Sequence, residues 1–216
     1  MLPMIKRNLK TLIITSIVIL LPILAGIILW DKLPEQIATH FNSQGIADGF
    51  SSKAFAVFGL PVFLLAIHWI CALGTAADPK QKNHSNKILT LVLWIIPIIS
   101  LLCNSLVYAY TMEIPVDVSL IMPLFLGAVF IIIGNYLPKC KQNYTIGIKV
   151  SWTLNDEENW NYTHRISGRI WVAGGVIIML SSFFRLTWLP MIIMLLMIIV
   201  PFAVSYLFYR KKNKKS

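Results

Sequence analysis

Charge is scarce in this sequence. Only 13% of its 216 residues are Asp, Glu, Lys or Arg, against 57% apolar. A soluble chain of this length needs about twice that charge to cover its surface, so a water-soluble class is excluded. Cysteine is scarce as well. Cys71, Cys103 and Cys140 are odd in number and widely spaced, giving neither a disulfide framework nor a metal pattern. The four histidines, His40, His68, His84 and His164, lie far apart, and neither H-E-x-x-H nor C-x-x-C is present, so no metal site is expected. A nucleophile elbow and a phosphate-cradling glycine loop are missing too. The sequence therefore reads as a non-enzyme, with no catalytic residue and no cofactor.

What is present is a series of long apolar runs. A spanning helix needs about 20 mostly apolar residues to cross a hydrocarbon core about 30 Å thick. Residues 11–30, 54–73, 88–110 and 118–137 come close to that length or exceed it. A last run, Ile170–Tyr209, is long enough for two crossings, and Arg185 with the following LTWLP divides it into 170–184 and 189–209. The prediction is an all-α, six-span integral membrane protein forming a single membrane domain over 1–216. The first span is expected to be a retained anchor, because its apolar run is too long for a signal core and no small-x-small site precedes Trp30-Asp31-Lys32.

Basic residues assign a direction. The formal charge is +10, but Lys and Arg sit between apolar runs rather than on one basic domain, so direct nucleic-acid binding is not expected. The leader carries Lys6, Arg7 and Lys10. Further groups occupy Lys80–Lys87, Lys139–Arg169 and the Arg210–Lys215 tail, sixteen basic residues in all, while the alternate connections hold only Lys32, Lys53 and Arg185. That alternation predicts a cell-membrane protein with both termini cytoplasmic. Trp30, Trp69, Trp94, Trp171 and Trp188 fall near predicted span ends, where amphipathic rings prefer the interface.

Two connections are long enough to hold structure. In the outer one, Asp31–Lys53, the turn formers Asn42-Ser43-Gln44-Gly45 and Asp48-Gly49 separate Ile37, Phe41, Ile46 and Phe50, which predicts a small hairpin. It reads either as an ordered lid over helix ends or as a surface meeting an extracellular ligand. In the inner one, Pro138–Gly168, Asn155 is the expected cap of a helix with Asp156, Glu157 and Glu158 in its first turn. A short interfacial helix feeding the fifth span is expected there. It carries Trp160 with His164, and Arg165 with Arg169, each pair on a common face. The β-branched and aromatic Tyr144–Trp152 stretch predicts an extended segment before it.

No Lys, Arg, Asp or Glu lies well inside any span, which weighs against an ion-coupled pump. The polar residues at depth are His68, Asn104 and Asn135, each read as an interhelical hydrogen bond of about 1 kcal/mol. His68 and Asn135 at similar depth leave a permease or export facilitator as the alternative. Gly174-Gly175 is expected to let helices approach closely.

Two segments resemble a known family. LPEQIATHFNSQGIADGFSSK after the first span resembles an LP-x-x-I…H-[FW]-N-x-x-G-x-x-D…K segment of many bacterial membrane proteins. Gly134-Asn135, followed by NYTIGIKVSWTLNDEENWNYTHRISG, resembles the second signature of the Sdp-type immunity proteins, the SdpI family. The resemblance places Leu33, Pro34, His40, Phe41, Asn42, Gly45, Asp48 and Lys53 on a candidate outer ligand surface. It places Asn135, Asn143, Gly147, Trp152, Thr153, Leu154, Trp160, His164 and Arg165 on a candidate inner partner surface, with Gly134 and Ile148 also matching. It implies protection of a bacterium against a secreted membrane-active toxin peptide. It further implies capture of a small cytoplasmic winged-helix transcriptional repressor by the toxin-engaged protein.

Overall fold

The computed structural model describes residues 2–214 and is predominantly helical. A short α1 (Pro3–Arg7) leads into α2 (Leu9–Ile28), followed by β1 (Gln36–Phe41) and β2 (Ala47–Ser52). Then come α3 (Leu60–Ala76), α4 (Asn86–Thr111), α5 (Val118–Tyr136), α6 (Ser151–Leu154), α7 (Glu157–Phe183) and α8 (Leu189–Asn213). Among the described residues, six helical segments are long and apolar enough to cross a bilayer: 9–28, 55–76, 86–111, 118–139, 157–183 and 189–213. The protein is a polytopic membrane protein with six candidate spans among its described residues. The chain forms two compact units, residues 1–77 with 86–118 and residues 78–85 with 119–216.

In the first unit the helices bury faces that mix apolar residues with a few polar ones. On α2 the buried residues are Leu12, Thr15, Ile19, Pro22 and Gly26, alternating by three and four, which is one helix face. Ile13, Ile17, Leu24 and Ile27 on the other faces are at least 50% exposed. Lipid accepts those side chains as readily as a protein core does, so the contacts that select neighbours are small and polar. Thr15 shares a hydrogen bond with Nε2 of His68 on α3 at 2.9 Å, and Trp69 Nε1–H donates to Ser16 Oγ at 3.1 Å. From α4, Ser100 donates to the Ile19 carbonyl at 3.0 Å and Tyr108 to the Pro22 carbonyl at 3.1 Å.

The second unit holds α5 to α8. A Cβ on Gly127 would stand 2.5 Å from the Gly175 carbonyl oxygen, and one on Gly134 2.9 Å from that of Gly168. The two glycine pairs are seven residues apart on each helix, so α5 and α7 approach backbone to backbone along an antiparallel seam. Gly174 in turn faces Met197 of α8.

Three expectations about the region around the start of α7 are corrected. The expected short interfacial helix and the fifth span are one continuous 27-residue helix. Arg165 and Arg169 do not interrupt it because both are exposed and their stems reach out from the helix surface. Its cap is Asp156 rather than Asn155, with Oδ1 accepting from the Glu158 and Asn159 amides, because Asn155 already closes α6. The expected extended segment 144–152 is irregular, ending in the single turn of α6. β-branched residues favour a strand only beside another strand, and none is paired with this stretch. Arg185, at φ 53°, sits in the turn between α7 and α8.

Candidate functional site

The residues expected at the two surfaces fall into two constructions, one in each unit. In the first unit, β1 and β2 form an antiparallel hairpin with irregular register between Ala38 and Phe41. Asn42 builds its turn. The side-chain oxygen accepts the Gln44 and Ile46 amides, each at 3.0 Å, and Gly45 takes a φ of 77° that an L side chain rarely adopts. Leu33 and Ile37 are buried with Val57, Val107 and Tyr108, and Phe41 meets Tyr110 edge-on at 4.9 Å. Lys53 is nearly buried. Its amine pairs with Glu35 at 2.9 Å, donates to the Trp30 carbonyl at 3.3 Å and lies over the Trp30 ring. Thus Leu33, Phe41, Asn42, Gly45 and Lys53 build the hairpin and seat it on the helix ends, and Pro34 is exposed at its entry.

Its free face carries different chemistry. His40 Nδ1 and Asp48 Oδ1 are 2.5 Å apart and both side chains are solvent-accessible. Phe50, on the same side of β2 as Asp48, and Ile46 at the turn are each 61% exposed. An acid–imidazole pair flanked by two apolar side chains is a small amphipathic platform.

In the second unit the segment 140–156 is tied into a polar knot. Asn143 is fully buried and satisfied: its oxygen accepts the Thr145 and Ile146 amides at 2.9 and 2.6 Å, and its nitrogen donates to the Lys141 and Ile146 carbonyls at 2.8 and 2.9 Å. Trp160 and His164, four apart on α7, stack with centroids 4.0 Å apart. Trp160 Nε1–H donates to the Cys140 carbonyl at 2.7 Å. His164 accepts the Ile148 amide at Nε2 (3.0 Å), so its proton is on Nδ1, which donates to the Trp160 carbonyl at 2.8 Å. Gly147 has φ 119°, and a Cβ there would run into His164 Nε2, so only glycine lets the backbone lie over this stacked pair. Thr153 Oγ1 accepts the Val150 amide and contacts the Ile148 and Val150 carbonyls.

α8 closes one side. Trp152 Nε1–H donates to Ser205 Oγ at 2.7 Å, and Asn159 Nδ2 donates to the Ser205 carbonyl at 3.1 Å. Lys212 reaches Asp156 and Glu158, each at 2.9 Å.

The other side is closed by residues that motif reading missed. The carboxylate of Asp78 is fully buried and accepts from the Lys80 amide (2.7 Å), the Tyr144 amide (2.9 Å), the Thr145 hydroxyl (2.9 Å) and His84 Nε2 (3.2 Å). Burial pushes its pKa up, but these donors and the nearby imidazole outweigh that and hold it below the ordinary carboxylate value. Lys80 Nζ donates to Gln142 Oε1 and Asn83 Nδ2 to the Gln142 carbonyl, while Gln142 Nε2 donates to the carbonyls of Thr153 and Leu154. The signal available in sequence was Asp78-Pro79, a turn pair at a span end.

Most residues expected on the inner surface are therefore the interior of the knot. Asn143, Thr153, Trp160 and His164 are buried, Gly147, Trp152 and Leu154 are half-buried, and Asn135 and Arg165 are exposed. Cys140 is buried and contacts the Ile146 carbonyl through Sγ. The permease alternative is not favoured. His68 is buried in a hydrogen bond to Thr15 between helices, and Asn135 is exposed.

Residues 139–206, which hold the knot, α7 and most of α8, match the SdpI/YfhL protein family. Residues 17–65, which hold the hairpin, match a domain of unknown function (DUF1648). The chain is 30% identical over 211 residues to "Immunity protein SdpI" of Bacillus subtilis (strain 168), covering 96% of this chain and 98% of that protein. No solved structure matches. The chain belongs to the SdpI family.

Proposed function

We propose that this protein is a membrane immunity protein protecting a bacterium against a secreted, membrane-active peptide. The observation that carries the reading is similarity across nearly the whole length, hairpin and knot included, to a protein named for immunity. The distribution of basic residues supports an orientation with both termini cytoplasmic, the hairpin outside and the knot inside. Under that orientation the His40–Asp48 pair with Phe50 and Ile46 is what an arriving amphipathic peptide meets first. Its apolar face would cover the two exposed side chains. Expression in a toxin-sensitive strain is expected to raise survival. Phe50→Ala with Ile46→Ala should remove most of that protection at unchanged protein level, since neither side chain supports the fold. Survival no better than vector controls, with the protein present in the membrane, refutes immunity.

A finer reading concerns signalling. The knot's exposed rim, including Arg165 and Arg169 on α7, would capture a small winged-helix repressor when the hairpin is engaged. Its support is the family resemblance and the exposure of Arg165 and Arg169 on α7. Arg165→Ala is expected to abolish recruitment of a fluorescent repressor to the membrane while resistance persists. Recruitment at wild-type level in that variant removes the role assigned to this rim.

A further inference from the structure

An open groove of about 440 Å³ runs between the start of α7 and the end of α8, lined by Tyr162, Val204, Leu207, Phe208 and the lysines 211 and 212, with Glu158 at its mouth. Its chemistry changes in one direction. Val204, Leu207 or Phe208, and Lys211 follow one face of α8, so the wall passes from aliphatic to aromatic to cationic over seven residues, about 10 Å of helix. The rings of Tyr162 and Phe208 lie 4.7 Å apart at 30° and form the floor midway. That change occurs where the apolar run of a membrane-spanning helix ends. A phospholipid presents the same sequence of chemistry, acyl chain to glycerol to phosphate, over a similar length.

Charge selects among headgroups. Glu158 at the mouth and Asp156 share one cationic partner, Lys212 Nζ, each at 2.9 Å. Lys211, exposed beside it, is in no ion pair with a described residue and is the cation left to meet a phosphate. We infer that this groove is a binding site for one anionic phospholipid, with its phosphate at Lys211 and its upper acyl chain along Val204, Leu207 and Phe208. The volume lies within the range of small-ligand sites.

Native mass spectrometry of the full-length protein in detergent, titrated separately with phosphatidylglycerol and phosphatidylcholine, tests it. One phosphatidylglycerol should be retained with about a tenfold preference over phosphatidylcholine. Lys211→Gln should weaken retention about fivefold and Lys211→Glu more than that, each leaving thermal unfolding unchanged. Lys214→Glu, off the groove, should change it less than about twofold. Equal losses from Lys211→Glu and Lys214→Glu would reveal only diffuse attraction to a basic tail and overturn the site. Equal retention of the two lipids, or no retained phosphatidylglycerol, overturns it as well.

Discussion

Replacing Trp160 by alanine is expected to destabilise the protein by about 3–5 kcal/mol, with a fall in midpoint temperature on the order of 10 °C. Trp160 is the largest fully buried side chain, and its loss removes three things together. The indole volume would leave a cavity beneath Gly147. The Cys140 carbonyl would lose its donor, and His164 would lose the ring it stacks on. Trp160→Phe separates these contributions. Much of the ring packing is kept, but the carbonyl is stranded, for about 1–2 kcal/mol. Thermal unfolding of purified protein in detergent reads both. A Trp160→Ala midpoint within about 2 °C of wild type would show that the knot is not cooperatively packed. The result bears on function directly. Protection lost in Trp160→Ala reports a collapsed scaffold rather than a missing contact, so exposed Arg165 is the position that probes a partner.

That distinction also separates what was legible in the sequence from what was not. Span existence followed from run length and hydropathy. The division at Arg185 followed because a single helix over Ile170–Tyr209 would be about twice the bilayer thickness. The hairpin followed from Asn42, Gly45 and the alternation around them, all local chemistry. The sequence divides α7 into a short interfacial helix carrying Arg165 and Arg169 and a separate span starting at Ile170, whereas the two are one helix. A helix continues past a cation whose stem can lie along its surface. The knot was the hardest part. Its motif residues stood out as a list, but a list does not say which way a side chain points. Trp160 and His164 were correctly placed on one face, yet that face turns inward. Asp78, Lys80 and Asn83 contact residues about sixty positions away, a pairing no local pattern encodes.

Asp78 carries the second large effect. Asp78→Ala is expected to cost about 3–5 kcal/mol, because it leaves the buried His84 Nε2, the Tyr144 and Lys80 amides and the Thr145 hydroxyl without their common acceptor. Asp78→Asn keeps the shape and one acceptor oxygen but loses the charge, and should cost less. pH distinguishes the charge from the shape. The folded-state pKa of Asp78 lies below its unfolded value, so ionised Asp78 contributes stability that is fully present above the unfolded pKa of about 3.9. That contribution is lost as pH falls through the lower folded value, where the carboxyl is protonated in both states. The gap in unfolding midpoint between wild type and Asp78→Asn should therefore hold constant from about pH 7 to pH 5 and narrow below about pH 4. A gap that persists undiminished in acid would mean that the carboxylate's charge contributes nothing, and that Asp78 holds Tyr144 and Thr145 by shape alone.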